Sequence, residues 1–421
     1  MKFNKPFILV AAMMAGALGL SAQNNTMSPY SRYGYGILND HVSSSQRAMG
    51  GIGYAMNNGR QINSMNPASY AAIDTLTFLF DIGFDIQQLK TKEGDAKGNH
   101  FTGGLDYVTM QFPLGKYMGG SVGLLPYSQT GYSFGNEIVN GEDSHQGSGG
   151  INELYFGISG RPFKGFTIGA NISYLFGTTL NDTYLMPTSS STSLFERVLE
   201  VKDYSLTFGA QYSFKIKNSH ELTLGAVFSP GKSWHGKTYG VYYDVSASQG
   251  NDPVPPDTVG YTRLSDKFTM PATYGIGLNY KFGTKLMAEI DYTYQPWGSA
   301  KYEPLEGFET TQFNDRWKVA AGLQYTPDVR GGYLKRINYR IGCYINNDYI
   351  KALSNDVKDY GVSIGFGLPA PVNRWTKTVV NIALEYRRRQ SSPVKLVTEN
   401  YFQLSIGINF NELWFWKNKI Q

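Results

Sequence analysis

The residue types that most often carry catalysis or bind metals are few in this sequence and lie far apart. The five histidines are at positions 41, 100, 145, 220 and 235, and Cys343 is the only cysteine. Common zinc sites and phosphate-binding loops need their ligands at defined spacings in the sequence. No His-Glu-x-x-His, Cys-x-x-Cys, Walker or Gly-x-Ser-x-Gly motif occurs. We therefore expect no enzyme activity, no metal and no cofactor.

Two charged clusters are the remaining candidates for chemistry. Gly141-Glu142-Asp143-Ser144 has oxygen ligands for a cation, and the same residues are typical of a solvated acidic turn. Arg387, Arg388 and Arg389 form a run of guanidinium groups, each able to bind a phosphate through two hydrogen bonds. The alternative for this run is a charged strand end in solvent.

The N-terminus has the pattern of a cleaved secretion signal. Lys2 and Lys5 precede an apolar run from Phe7 to Leu20, and small residues up to Ala22 then offer a cleavage site. The alternative, a membrane-anchoring helix, is opposed by the run's length, since about 20 residues are needed to span a bilayer. Loss of the two lysines lowers the formal charge from +5 to +3, so no nucleic-acid partner is expected.

Strict alternation of apolar and polar residues recurs along most of the remaining chain. In 274–281, for example, Tyr274, Ile276, Leu278 and Tyr280 alternate with Gly, Gly, Asn and Lys. A period of two residues predicts strands with one apolar face. Fourteen strands are predicted, at 75–88, 102–114, 118–138 (interrupted), 151–160, 166–177, 202–215, 220–247 (interrupted), 258–282, 285–294, 316–326, 335–346, 357–367, 376–389 and 400–410.

The connections and the charges favour a membrane barrel. Short predicted turns alternate with longer polar connections at 89–101, 139–150, 178–201, 248–257 and 295–315. Charged residues such as Glu289, Asp291 and Glu385 fall on the face opposite the apolar one, where a lumen would lie. A soluble sandwich is the alternative. The even strand count and the Tyr- and Trp-rich strand ends predict a 14-stranded antiparallel transmembrane β-barrel over 75–421.

Several segments resemble the FadL/TodX-like family of outer-membrane channels for hydrophobic compounds. The segments that carry this resemblance are 47–55, 66–68, 270–275, 291–297, 316–325, 340–342 and 385–402. The resemblance implies that residues 23–74, which lack strand patterning, form a hatch inside the lumen, and that Asn66, Pro67 and Ala68 are part of it. Asn66-Pro67-Ala68 would otherwise be an ordinary turn at a helix start.

In that family, ligands leave sideways beside a kinked third strand. The third predicted strand is interrupted at Pro126 and Gly131, and proline cannot donate a hydrogen bond to a neighbouring strand. These residues are therefore a candidate lateral gate, unless Pro126 merely ends the strand. By the same topology Arg387–Arg389 lie near the outer leaflet, where lipopolysaccharide phosphates would be available.

Two functions remain open. The first is a passive outer-membrane channel that takes up hydrophobic compounds resembling long-chain fatty acids, by hatch movement and lateral release into the membrane. The second, also known among barrels that resemble this family, is a non-transporting subunit of a larger outer-membrane secretion or barrel-assembly complex. The expected partners are outer-membrane lipid, lipopolysaccharide and hydrophobic small molecules, and, in the second case, other outer-membrane proteins. An apolar pocket behind the hatch would favour the channel, and a sealed lumen would favour the subunit.

Overall fold

Fourteen antiparallel strands close into a barrel, as predicted. The computed structural model describes residues 26–188, 192–217, 219–244, 257–263, 268–302, 312–370 and 378–413. The predicted signal peptide, residues 1–22, lies outside these ranges. Each strand pairs with the next along the chain, and the last strand pairs with the first from Thr77–Leu413 to Lys92–Thr398. The strands are β1 Thr77–Glu93, β2 Ala96–Gly115, β3 Met118–Gln129, β4 Gly141–Phe163, β5 Phe166–Pro187, β6 Ser193–Lys217, β7 His220–Ser229, β8 Thr273–Phe282, β9 Leu286–Gln295, β10 Arg316–Tyr325, β11 Asn338–Ala352, β12 Asn355–Ala370, β13 Thr378–Ser392 and β14 Thr398–Leu413.

The apolar face of the strands points outward and the charged face points inward. Ile276 in β8 is 60% exposed, whereas Asp291 in the neighbouring β9 is 3% exposed. Glu289 and Glu385 are buried in the same way. This distribution is the reverse of that in a soluble sandwich, because the solvent for the outer face is lipid. The predicted assignment of charges to the lumen is confirmed.

Several strands are longer than the alternation predicted. The segments 89–101 and 139–150, and the described parts of 178–201, were predicted as loops, but they consist mostly of strand residues. β1 and β2, for instance, stay paired up to Glu93–Ala96. An apolar face is needed only over the 9–11 residues that cross lipid. Beyond that level both faces are polar, so the alternation ends before the strand does.

The two ends of the barrel differ. At one end, called the short-turn end, residues 116–117, 164–165 and 283–285 connect neighbouring strands. At the other, the long-loop end, lie the connections 130–140, 230–272 and 296–315. Small strands extend the sheet there, namely Tyr132–Ile138, Gly236–Asp244 and Asp257–Arg263, and the strands Lys232–Ser233 and Thr269–Met270 pair with each other in a separate two-stranded sheet.

The segment 26–73 contains one short strand and three short helices. They are Pro29–Arg32 (3-10), Ile37–Leu38 (strand), Ser44–Arg47 (α) and Pro67–Ala72 (3-10). Two further helices, Trp297–Ser299 (3-10) and Tyr333–Arg336 (α), lie in connections between strands. In the described part of the chain, no helix has the length and apolar character needed to cross a membrane.

Candidate functional site

The segment 26–73, called the plug from here on, packs against the inward-facing side of the strands. It begins at the long-loop end, where Ser28 donates a hydrogen bond to Glu399 of β14. It finishes at the short-turn end, where Arg161 donates to the carbonyl oxygen of Ala71. The packing is close enough to require glycine in the wall. A Cβ atom on Gly342 of β11 would lie 2.0 Å from the carbonyl carbon of Met49.

Two buried carboxylates of β9 hold the backbone of the plug. Asp291 accepts hydrogen bonds from the backbone N–H groups of Gly53 (2.6 Å) and Tyr54 (2.9 Å). Glu289 accepts one from the N–H of Ala55 at 2.9 Å and one from the Asn279 side chain at 2.6 Å. Buried backbone donors need partners, so these bonds fix residues 53–55 against the wall.

Asn66, Pro67 and Ala68 form a helix start inside the barrel. The Asn66 side chain accepts a bond from the N–H of Ala68 at 3.0 Å and donates to the carbonyl of Tyr54 at 2.6 Å. Pro67 begins the following 3-10 helix, where its fixed φ is favourable. Pro67 also lies against Gly169 and Gly209 of the wall. The turn therefore has the ordinary geometry of a helix start, and it joins two parts of the plug.

At the beginning of β10 the plug is held by ion pairs. Asp40 bonds to Lys318 at 2.6 Å and to Arg316 at 2.5 Å. Burial would raise the pKa of the Asp40 carboxyl, but Lys318 and Arg316 outweigh that effect and lower the pKa below its ordinary value. Asp40 is therefore ionised at neutral pH. A cavity of about 30 Å³ lies beside these groups, the size of one water molecule.

A second group of ion pairs is centred on Arg389. Its guanidinium makes two hydrogen bonds to Asp359, at 2.6 and 2.8 Å, and reaches Asp348 at 3.3 Å. Glu399 lies 3.9 Å away on the other side. All four side chains are buried. These pairs connect β11, β12, β13 and β14 across the interior.

The three predicted phosphate-binding arginines do not lie on one surface. Arg389 is bound to the buried side chains of Asp359 and Asp348. Arg387 also faces the interior, where its guanidinium carbon lies 4.0 Å from the ring centre of Tyr401. Arg388 alone is exposed on the outer face. The reason is the period of the strand, which sends alternate residues to opposite faces. A contact with lipopolysaccharide therefore remains a prediction for Arg388 only.

Aromatic side chains close the long-loop end. Tyr35 of the plug stacks on Trp234 with ring centres 4.8 Å apart, and Trp297 lies 4.5 Å from Tyr349. All four rings are buried. Tyr349 also donates a hydrogen bond of 2.6 Å to the carbonyl of Gly36. This aromatic cap, completed by Phe268, Tyr302 and Phe313, is the largest of the apolar clusters among the described residues.

Two of the cavities beside the plug measure about 100 and 460 Å³. The larger is lined by residues such as Pro29, Tyr30, Phe134 and Val397, and the smaller is mixed in polarity. The cavity of about 100 Å³ is bordered by Asp40, His41, Tyr54, Glu153 and Arg316 among others. His41 lies 3.1 Å from Glu153. Among the described residues, no three His, Cys, Asp or Glu side chains are placed to hold a metal ion.

The wall has a split between β2 and β3. Pairing between these strands runs from the short turn up to Val108–Leu124 and then stops. Beyond Leu124, residues Ser128 and Gln129 of β3 pair with Leu38 and Ile37 of the plug. The sheet at this edge of β3 is thus continued by the plug and not by β2.

Pro126 lies at this split. The register between β3 and β4 shifts between Pro126 and Ser128, as expected at a bulge. The carbonyl of the intervening Tyr127 accepts a hydrogen bond from the N–H of Asn39 at 2.9 Å. Gly131 follows the end of β3, where its N–H and carbonyl both bond to the Ser31 hydroxyl at 3.0 Å. Both predicted gate residues therefore border the plug.

An open cavity of about 560 Å³ lies in the split, between residues 105–107 of β2 and 124–129 of β3. β2 also has a bulge, because the register against β1 shifts at Gly83–Phe84 and leaves Asp106 without an opposite residue. The Asp106 side chain turns inward and binds Arg47 of the plug at 2.7 Å. The plug thus contacts both sides of the split.

Sequence patterns missed several residues of this interior. Arg47 lies in a segment of family resemblance, but nothing marked it as an ion-pair partner. Asp40 and the strand Ile37–Leu38 have no local signal, because their partners are more than 85 residues away in the chain. Tyr and Trp at the strand ends favour an aromatic girdle, and no sequence pattern marks Trp234, Trp297 and Tyr349 as members of one buried cluster.

Comparisons with solved structures agree with the barrel fold. The toluene transporter TodX of Pseudomonas putida superposes with a TM-score of 0.60 at 15% identity, over 90% of this chain and 100% of TodX. A FadL homologue from Pseudomonas aeruginosa gives 0.59 at 12% identity, over 90% and 99%. The toluene transporter TbuX of Ralstonia pickettii gives 0.57 at 14% identity, over 89% and 99%. The predicted resemblance to the FadL/TodX fold is confirmed.

Comparisons of sequence give a closer assignment. No curated protein matches the sequence. The model of the family described as BamG matches residues 4–421, which is nearly the whole chain. The chain therefore belongs to the BamG family, and it has the fold of FadL-type outer-membrane channels.

Proposed function

We propose that this protein is an integral outer-membrane subunit of a larger secretion or barrel-assembly complex, and that its barrel is a structural part of that complex. The observation that carries the proposal is the extent to which the plug occupies the lumen. The plug packs along the inner wall, aromatic rings cover the long-loop end, and the cavity under these rings measures about 100 Å³. Pockets for drug-sized ligands are about 300–1,000 Å³ and mostly apolar.

Energetics also support a fixed plug. Moving the segment around Asp40 and Arg47 would separate both from their partners Arg316, Lys318 and Asp106. Breaking a buried ion pair costs about 3–5 kcal/mol, because it leaves a charge without compensation. Burial of apolar ligand surface stabilises by about 25 cal/mol per Å², and the polar interior offers little apolar surface in return.

Apolar concave surface is instead found on the outside of the barrel. A shallow concavity of about 1100 Å³ is bordered by outward-facing residues such as Ile86, Ile341, Val362 and Leu384. Such a surface would be covered by lipid or by a neighbouring membrane protein.

Location in the outer membrane follows from the same proposal. The predicted cleavable signal would export the chain, and the apolar outer face would place the barrel in lipid. The long-loop end would then face the cell exterior. Arg388 lies on the outer face in register with Asn400 of β14, which pairs in turn with the exposed Lys90 of β1. We propose these two cations as a contact for lipopolysaccharide phosphates.

A second function is favoured by the split. An opening in the wall beside Pro126, in a fold shared with toluene transporters, would allow a hydrophobic compound to leave sideways into the membrane. In this alternative the plug is a hatch, Asn66–Ala68 belong to it, and its contacts at Ile37–Asn39 would have to open. Pro126 and Gly131 would then act as gate residues.

The experiment that separates the two functions is quantitative purification from native membranes. A tagged chain expressed at its natural level is isolated in mild detergent, and its co-purified proteins and lipids are quantified by mass spectrometry. The subunit proposal predicts other outer-membrane proteins at a constant molar ratio. Recovery of the barrel alone, with a hydrophobic compound in equimolar amount, would overturn it and favour the channel. An unrelated outer-membrane barrel with the same tag is the control.

A further inference from the structure

The two edges of the split differ in their strand pairing. The β3 edge is paired with the plug strand Ile37–Leu38. On the β2 edge, no strand of the described ranges is registered against residues 103–107 on the side that faces the split. We infer that this β2 edge binds an extended segment of a partner outer-membrane protein by strand addition. The inference rests on the proposed subunit function and names the surface that the partner uses.

The open edge lies within the apolar belt of the barrel. Gly103 is opposite Ile86 of β1, which is opposite Leu404 of β14, and the side chains of Ile86 and Leu404 point outward. Leu105 itself is 45% exposed and Phe101 is 68% exposed. The edge therefore faces lipid and not water.

Backbone groups at such an edge need a partner. Hydrocarbon offers no hydrogen bonds, and a closed barrel normally satisfies every N–H and C=O through neighbouring strands. A strand edge without a neighbour is also a template for pairing with another chain. The stretch 103–107 combines both conditions, so an added strand would satisfy groups that lipid cannot.

The pairing at the β3 edge indicates which kind of partner fits the β2 edge. On the opposite edge, the same interruption is completed by an extended segment, with Ile37 opposite Gln129 and Leu38 opposite Ser128. The plug thus already adds a strand to the wall at this point. An extended polypeptide is therefore the occupant that matches the β2 edge, and a lipid chain is not, because it carries no backbone donors or acceptors.

The size and lining of the split limit the partner segment. The cavity of about 560 Å³ at the split is lined by the two edges and also by Gly150 and Asn152 of β4 and Thr178 of β5, so an extended segment on the β2 edge would occupy part of it. Its inner side is closed by the buried Tyr107 and by the Asp106–Arg47 ion pair. Its outer side faces lipid beside Leu105. We expect small side chains on the inward face of the partner strand and apolar ones on its outward face.

Photocrosslinking from the edge tests this inference. Benzoylphenylalanine is introduced singly at Asn99, Phe101 and Leu105, whose partners in β1 show that they share the outward face. Ile276 of β8, on a fully paired strand and 60% exposed, is the matched control. Cells are irradiated, the tagged chain is purified, and crosslinked peptides are mapped by mass spectrometry. Heat-dependent electrophoretic mobility checks that each variant has folded.

The expected result is a set of crosslinks to one peptide of a co-purifying outer-membrane protein. In the partner, the residues crosslinked from positions 99, 101 and 105 should lie in sequence order, two and then four residues apart. Only a strand paired with β2 would produce this spacing. Position 276 should give at least tenfold less of this product. Crosslinks to lipid alone, or to scattered peptides, would overturn the inference.

Two different outcomes distinguish an error in the strand-addition inference from an error in the proposed subunit function. If partners co-purify at a constant ratio but crosslink elsewhere, the subunit function stands and strand addition at β2 is wrong. If no partner co-purifies from native membranes, the subunit function itself fails.

Discussion

The ion-paired groups around Asp40 and Arg389 and the aromatic cap stabilise the interior of the barrel by different interactions. Asp40 of the plug and Arg389 of β13 each take part in an ion pair at 2.6 Å. In the cap, Tyr35 and Trp297 pack among aromatic rings without ion pairs of their own among the described residues. Removing one charge leaves its partners uncompensated, whereas removing one ring leaves a cavity that neighbours can partly fill. The ion-paired groups should therefore contribute most to stability, and the cap should determine permeability.

The largest effect is expected from Arg389→Met. Asp359, Asp348 and Glu399 would lose their shared cation in a buried site, which should lower the free energy of unfolding by about 3–5 kcal/mol. The midpoint of urea unfolding, followed by electrophoretic mobility in lipid vesicles, measures the change. Arg388→Met is the matched control, since this side chain is exposed on the outer face, and its midpoint should be near that of the wild type. Equal midpoints for the two variants would refute the comparison.

Trp297→Ala should cause the second-largest loss of stability and the largest increase in permeability. Loss of a buried indole costs about 3 kcal/mol when neighbouring loops can partly collapse. It also removes the ring that contacts both Tyr35 and Tyr349. Swelling of proteoliposomes in small sugars should be absent for the wild type and detectable for the variant. Swelling of the wild type at the rate of an open porin would show that the cap does not seal the barrel.

Asp40→Asn should have a smaller effect that depends on pH. The carboxyl is half-buried, so loss of its bonds to Arg316 and Lys318 should cost about 1–3 kcal/mol at pH 7. Its pKa is lowered in the folded protein, so its stabilisation is present above the unfolded pKa of about 4 and is lost as pH falls further. The difference in unfolding free energy between wild type and variant should therefore shrink below about pH 4. A difference that grows on acidification would contradict the sign of this pKa shift.

Pro126→Val should have the smallest effect on stability, within about 1 kcal/mol, because the residue lies at a bulge and not in a regular pairing. The change is informative about function. Under the subunit proposal, uptake of a radiolabelled fatty acid or toluene by cells equals that of a deletion strain for both forms. If the wild type restores uptake and the variant reduces it, lateral release beside Pro126 would be supported and the sealed barrel would be wrong.

The sequence was most informative where one face of a strand meets lipid. Over residues 274–281 and the paired β9, alternation predicts the strands and the inward-facing acids that the structure shows, because contact with lipid selects an apolar face. It failed beyond the bilayer, as at 89–101, where both faces of a strand are polar. It also failed to separate Arg388 from its two neighbours, since a run of three identical residues hides the alternation.

The interior was less predictable. Asp40 bonds to Arg316 and Lys318 because closure of the barrel brings β10 beside the plug. Tyr35 likewise contacts Trp234 and Trp297 only in the closed barrel. The split at Leu124 had one local signal, Pro126. Its completion by Ile37–Leu38 depends on a two-residue strand that no periodicity can reveal.

Native mass spectrometry of the tagged protein, released from its own outer membrane, decides whether the barrel is a subunit of a complex or a separate channel. One dominant species is expected, with a mass equal to this chain plus partner proteins in whole-number ratio and with no small apolar compound retained after detergent removal. A dominant species with the mass of the single chain, or of the chain plus one hydrophobic compound, would contradict the subunit proposal.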